Sequence, residues 1–168
     1  MNIALIGMPT SGKSTVGVVL AKLLGLDFAD TDILIQKKYG KKLKDIIEKQ
    51  GTDGFLKLEA EIIASLDFKN TVIATGGSVV YSHKAMSNLK RIAKVIYLQV
   101  ELAELENRMT DLRARGVAIR QGQTLEDLYN ERISLYERYA DVTINEKDKD
   151  LDATVVDILT YVNRLKNI

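Results

Sequence analysis

Short apolar runs at 3–6, 71–75 and 93–99 have the character of strands buried on both faces, rich in isoleucine and valine. Between and beyond them the apolar positions change period. They recur at spacings of three and four across 15–24, through Phe55, Leu58, Ile62 and Leu66, and again through Leu125, Leu128, Tyr129, Ile133, Tyr136 and Tyr139. That is the stripe of a helix lying on a core. Weaker signals add extended segments at 26–29 and 142–144 and helices at 33–38, 82–89, 101–109 and 151–165, with Gly25 as a C-cap and Ser82 as an N-cap. Strands alternating with helices predict right-handed crossovers. The expected fold class is therefore α/β, three layers with a mainly parallel, five-stranded sheet flanked by helices. Residues 1–168 are read as one domain, free of repeats and low-complexity segments.

Composition narrows the chemistry. Hydrophobic residues make up 46% and charged residues 28%, the balance of an ordinary globular chain. A net charge of +1 provides no broad field for nucleic acid, so none is expected as a partner. The absence of cysteine excludes disulfides and thiolate chemistry, and a single histidine, His83, excludes a multi-histidine metal site. Any metal would be held by oxygen. No signal-peptide pattern opens the chain and no apolar run is long enough to cross a bilayer, so a cytoplasmic monomer without a membrane partner is expected. The lysine-rich stretch 37–44 reads as a solvated turn between helices.

One loop carries a specific signal. Gly7-Met8-Pro9-Thr10-Ser11-Gly12-Lys13-Ser14 matches G-x-x-x-x-G-K-[ST] and lies between the first strand and the first helix, the context that a phosphate-binding loop requires. Glycines allow backbone amides to turn toward phosphate oxygens, and the helix start adds partial positive charge. Lys13 then reaches the β and γ phosphates, and the Ser14 hydroxyl is placed for Mg²⁺.

Further candidates follow along the chain. Asp30-Thr31-Asp32 ends the second strand, where an α/β sheet places ligand contacts, although either carboxylate could equally cap the next helix. Glu59 falls on the apolar stripe of its helix, so it faces a site, meets a buried cation, or bends out to solvent at the stripe's edge. Gly76-Gly77-Ser78 ends the second buried-type strand, 71–75, and permits either close backbone approach to a ligand or a tight turn. His83 is read as a surface residue. Arg108, Arg113, Arg115 and Arg120 cluster where no apolar period runs, the pattern of a mobile basic lid at about 109–123 or of a plain surface loop. Arg132 lies on the apolar face of its helix. An inward guanidinium there needs a carboxylate from Glu59 or from a ligand, unless it bends to solvent.

Together these residues resemble the shikimate kinase family over nearly the whole length. The match rests on the loop from Gly7 to Thr15, Asp30-Thr31-Asp32, Gly54-Phe55 with Glu59, Gly76-Gly77, the spacing of Arg108 and Arg115, and Glu131-Arg132 with Leu135-Tyr136. The resemblance implies a P-loop kinase fold using ATP and Mg²⁺. It implies that Gly7, Thr10, Ser11, Gly12, Lys13, Ser14 and Thr15 hold the nucleotide, with Arg108 stacked on adenine. Ser14 and Asp30 would serve the metal, Asp30 through water. Asp32 would hold the acceptor hydroxyl and take its proton, Arg115 would close over the γ phosphate, and Lys13, Asp32 and Arg115 would form the catalytic set. Arg132 would bind the acceptor carboxylate, with Phe55, Glu59, Gly76, Gly77 and Ser78 around it.

Three positions depart from that pattern: Leu56 stands where the family has a second clamping arginine, Ser78 where it has a third glycine, and Gly116 where proline is usual. The implied reaction is phosphorylation of shikimate on its 3-hydroxyl. A kinase for another hydroxy acid or polyol, suggested by Leu56 and Ser78, and a nucleotide-binding regulatory module without turnover are the alternatives.

Overall fold

The computed structural model describes residues 1–108 and 116–166. Five strands form one sheet: β1 (Ile3–Ile6), β2 (Asp27–Asp30), β3 (Thr71–Ala74), β4 (Lys94–Gln99) and β5 (Val142–Asn145), in the order β2-β3-β1-β4-β5 with every neighbouring pair parallel. The helices are α1 (Lys13–Leu24), α2 (Thr31–Tyr39), α3 (Leu43–Ala64), α4 (His83–Ile92), α5 (Leu102–Arg108), α6 (Leu125–Tyr139) and α7 (Leu151–Lys166). The expected three-layer α/β fold is what forms.

Alternation along β1 divides the core. Ile3 and Leu5 face α1 and α7 with Val16, Leu20, Val155 and Ile158, whereas Ala4 and Ile6 face α3, α4 and α6 with Ile63, Met86, Leu128 and Tyr136. Gly17 lets α1 lie close on the sheet, since a Cβ there would stand 2.7 Å from the Phe28 ring. A third apolar cluster joins Ile35 of α2, Leu43, Ile46, Phe55 and Leu58 of α3, and Ala118.

Register positions the site. Leu5 and Asp30 both pair with Ala74, so β1, β2 and β3 finish level. The segments that follow them, 7–14, 31–32 and 75–78, therefore emerge side by side at the carboxyl edge, where the chain reverses direction across the sheet.

Two elements differ from the sequence reading. Helix α3 starts at Leu43 and continues past a break at Gly51 (φ 71°, ψ 168°), whereas the apolar period pointed to a helix only from residue 54. Its first half has a stripe of just Leu43, Ile46 and Ile47 among charged residues, and becomes helical by laying that stripe on the third cluster. The glycine pair opens a 3-10 turn, Gly77–Tyr81, too short to leave a period in the sequence. Of the basic stretch 37–44, expected as a turn, only 40–42 lies between helices, with Gly40 as the left-handed C-cap of α2; 37–39 close α2 and 43–44 open α3.

Candidate active site

The phosphate loop is built by backbone conformations that few residues tolerate. Gly7 has φ 148°, and a Cβ there would meet the Leu98 carbonyl oxygen at 2.7 Å. Thr10 has φ 63°, an uncommon value for a β-branched residue, and its hydroxyl donates to Pro9 O at 2.6 Å. Gly12, at φ 86°, caps α1 without a side chain, which leaves the amides of the first helical turn free to face anions. Lys13 is buried, and its ammonium donates to Gly7 O at 3.0 Å, Met8 O at 2.6 Å and Ser11 Oγ at 3.2 Å. Burial lowers its pKa to about 8, against the pull of Asp32. Ser14 and Thr15 are exposed at the head of α1.

The acid triplet does two jobs that the sequence left as alternatives. Asp30 Oδ1 caps α2 by accepting from the amides of Asp32 at 2.9 Å and Ile33 at 3.3 Å, while Oδ2 accepts from Ser14 Oγ at 2.6 Å. A hydroxyl and a carboxylate set together beside a phosphate loop are the hard oxygen donors that Mg²⁺ takes, completed by phosphates and water. Asp32 is left uncommitted to a cap and lines the cleft. Burial raises its pKa to about 6, helped by the charge of Asp30 and opposed by Lys13. Thr31, between them, is fully buried and accepts from the Gly76 amide at 3.1 Å, tying the triplet to the glycine turn.

A cleft of about 630 Å³ is lined by the loop together with Asp32, Phe55, Glu59, Gly76, Gly77, Ser78, Arg108 and Arg132. Both glycines are tightly surrounded. A Cβ on Gly76 would sit 2.4 Å from Glu59 Oε1 and 2.9 Å from Asp32 Oδ1, and one on Gly77 would sit 2.9 Å from an Arg132 nitrogen and from Pro9 Cδ. Glu59 is buried, its Oε2 accepting from Ser78 Oγ at 2.6 Å while Oε1 has no partner. Burial raises its pKa to about 7, the Ser78 hydrogen bond opposing and Asp32 adding to the rise.

Arg132 is 1% exposed, as its position on the apolar stripe implied, but it does not pair with Glu59. Its Nε donates to Tyr81 Oη at 3.1 Å, one terminal nitrogen donates to Ala118 O at 3.0 Å, and its guanidinium carbon lies 5.0 Å from the centre of the Tyr81 ring. Among the described residues no carboxylate comes within the 4.0 Å of an ion pair. Tyr81, at the end of the short 3-10 turn, explains the difference, because a turn of that length leaves no period in the sequence. Tyr136, one turn along α6, donates to Gly77 O at 2.7 Å and stacks on Tyr97 at 5.0 Å. Periodicity marked Tyr136 only as core, and nothing in it revealed the hydroxyl's role.

Of the arginine cluster, Arg108 reaches Thr10 O at 3.4 Å and Glu104 at 2.7 Å, and Arg120 stands at the surface near Asp53 and Glu131. Arg113 and Arg115 lie outside the described residues, as does the first part of the expected lid. Its second part is anchored: Ala118 is buried and Thr52 Oγ1 donates to Ile119 O at 3.1 Å. Leu56 packs half-buried against the third apolar cluster, Ser78 is held by Glu59, and a Cβ on Gly116 (φ 69°) would press on Leu43 at 2.8 Å. His83 is exposed, with Ser87 Oγ 3.3 Å from its Nδ1. No helix among the described residues is long and apolar enough to cross a membrane.

A parallel sheet of this order, with a phosphate loop after β1 and a free carboxylate after β2, defines a small P-loop kinase. The family model described as "Shikimate kinase" matches residues 9–163, and the chain belongs to the shikimate kinase family. A shikimate kinase of Clostridium botulinum is 40% identical over 162 residues, covering 92% of this chain and 94% of that protein. The structure resembles the crystal structure of shikimate kinase from Aquifex aeolicus (TM-score 0.84, 32% identity, 97% and 96% of the two chains). It also resembles that of Acinetobacter baumannii in complex with shikimate (TM-score 0.82, 29% identity, 98% and 94%).

Proposed function

We propose that the chain, acting as one domain over 1–168, transfers the γ-phosphoryl group of ATP to the 3-hydroxyl of shikimate. The observation that carries the acceptor assignment is Arg132, a buried guanidinium without a carboxylate partner among the described residues, lining the same cleft as the phosphate loop and Asp32. A carboxylate-bearing acceptor supplies the missing anion through charge-assisted hydrogen bonds. Family membership supports the same acceptor.

Each residue then has a task. The amides at the start of α1, with Lys13 and Ser14, cradle the triphosphate, and Asp30 fixes the Ser14 hydroxyl for Mg²⁺, which when bound neutralises phosphate charge. Asp32 orients the acceptor hydroxyl and receives its proton as phosphorus–oxygen bond formation proceeds. Arg115 is assigned the closing contact with the γ phosphate on the resemblance alone. Because positioning and charge neutralisation supply most of phosphoryl-transfer catalysis, the close fit of Gly76 and Gly77 against Glu59, Asp32 and Arg132 is part of the machinery.

A kinase for another hydroxy acid has one observation in its favour. Leu56 packs into an apolar cluster, so the acceptor end has Arg132 without the second arginine of the family pattern. The test is ADP release from ATP and Mg²⁺ with shikimate beside a panel of hydroxy acids and polyols. Shikimate-dependent release supports the first reading. Release with another acceptor alone favours the second, and nucleotide binding without acceptor-dependent release supports a regulatory module.

A further inference from the structure

Three consecutive residues that line the cleft are pinned by side chains from three different helices. The Gly76 amide donates to Thr31 Oγ1 of α2 at 3.1 Å, and the Ser78 hydroxyl donates to Glu59 of α3 at 2.6 Å. Between them the Gly77 carbonyl accepts from Tyr136 Oη of α6 at 2.7 Å. The Tyr136 hydroxyl enters none of the steps above. Tyr136 is fully buried and is not among the residues lining the cleft, so it acts on a bound molecule only through its neighbours. Burial pushes its pKa up, so the hydroxyl stays a donor.

Those neighbours are the parts that must keep their distances during transfer. Tyr136 follows Arg132 by one turn of α6, and its Oη lies 3.8 Å from Met8 Sδ in the phosphate loop. Its ring stacks on Tyr97, which pairs across the sheet with Ile6, the residue before the loop. Gly77 itself is wedged between the two ends of the reaction. A Cβ on it would stand 2.9 Å from Pro9 Cδ and 2.9 Å from an Arg132 nitrogen. A displaced turn therefore changes the space between the loop and the anion site, and misplacement by about 1 Å costs on the order of a hundredfold in rate.

We propose that Tyr136 is a positioning residue for the acceptor: its hydroxyl holds the Gly77 carbonyl, and with it the glycine turn, at the depth where a bound acceptor meets the transferring phosphate. This rests on the proposed phosphoryl transfer but not on which hydroxy acid is the acceptor.

The test is Tyr136→Phe, which keeps the ring and removes the hydroxyl. Tyr97→Phe is the control, since Tyr97 Oη has no partner among the described residues and belongs to the same stack. Kinetics are measured well below the melting temperatures, with shikimate or whichever acceptor the unmodified protein takes. In Y136F, kcat/KM for the acceptor falls roughly ten- to a hundredfold, mostly through kcat, while ADP affinity by titration calorimetry stays within about twofold. Y97F changes neither quantity by more than about twofold. Unchanged acceptor kinetics in Y136F overturn the proposal, as does an equal loss of nucleotide affinity or the same loss in Y97F. Absence of turnover with every acceptor would sink the proposed reaction, and hydrogen exchange of the ligand-free chain then decides the role of Tyr136. Faster exchange over 76–82 in Y136F but not in Y97F keeps Tyr136 as the residue that holds the turn, and unchanged exchange overturns it.

Discussion

Ser78 holds Glu59: its hydroxyl donates to Oε2 at 2.6 Å, inside the protein, at the position where the family pattern has glycine. The serine side chain therefore steadies one of the two carboxylates that lie against Gly76, and does not simply crowd the acceptor. In Ser78→Ala both Glu59 oxygens lack a donor, and leaving such a group unpaired costs about 1–3 kcal/mol. Chemical denaturation at pH 8 is expected to show that loss, with Ser78→Thr recovering part of it.

Protonation of Glu59 makes stability depend on pH in a definite direction. Its folded pKa of about 7 lies above the ordinary value of 4.5, so the folded state binds the proton more tightly. Stability from this group is fully present below about pH 4.5 and is lost as pH rises through about 7. Asp32, raised to about 6, acts in the same sense from a starting value of 3.8. Glu59→Gln is expected to flatten the fall in melting temperature between pH 5 and 8.

The same shift on Asp32 has an opposite consequence for catalysis. A base must be unprotonated, so kcat/KM for the acceptor falls about tenfold per unit as pH drops below about 6. Asp32→Asn removes the base and lowers kcat by about 10²–10⁴. Nucleotide affinity, measured separately, stays near that of the unmodified enzyme.

Arg132→Lys tests the anion site. An ammonium cannot reproduce the planar fork that reaches both Tyr81 and Ala118, nor offer two parallel donors to a carboxylate. The KM for shikimate is expected to rise roughly ten- to a hundredfold. ATP affinity should change far less.

Gly17→Ala separates stability from chemistry. The added methyl meets Phe28 Cε2 at 2.7 Å with Leu5 at 3.5 Å behind it, and overpacking of that kind costs about 1–3 kcal/mol. The melting temperature should drop while kcat at low temperature is retained.

What the sequence made legible follows from physical range. The loop 7–14, the strands 3–6, 71–75 and 93–99, and the helix carrying Arg132 are written in local periods and local glycines, and they form as expected. Residues whose roles depend on partners far along the chain were not legible. Arg132 was expected to meet Glu59 or a ligand carboxylate, or to bend to solvent, yet the 3-10 turn brings Tyr81 against it, and no period announces a turn of five residues. The first half of α3 escaped because its apolar stripe is three residues long and Gly51 interrupts it.

The strand order β2-β3-β1-β4-β5 also governs when the enzyme becomes an enzyme. β1 precedes the other strands along the chain, yet Ile3 pairs with Val72 and Lys94, so both of its neighbours are distant in sequence. Closing such long loops precedes any reward from pairing, which makes assembly of the sheet the slow event and helix formation the fast one. Lys13, Asp32, Gly76 and Arg132 sit on four separate segments, the last of them on α6. Recovery of catalytic activity after dilution from denaturant is therefore a clock for the final stage of folding, lagging behind the return of helical signal.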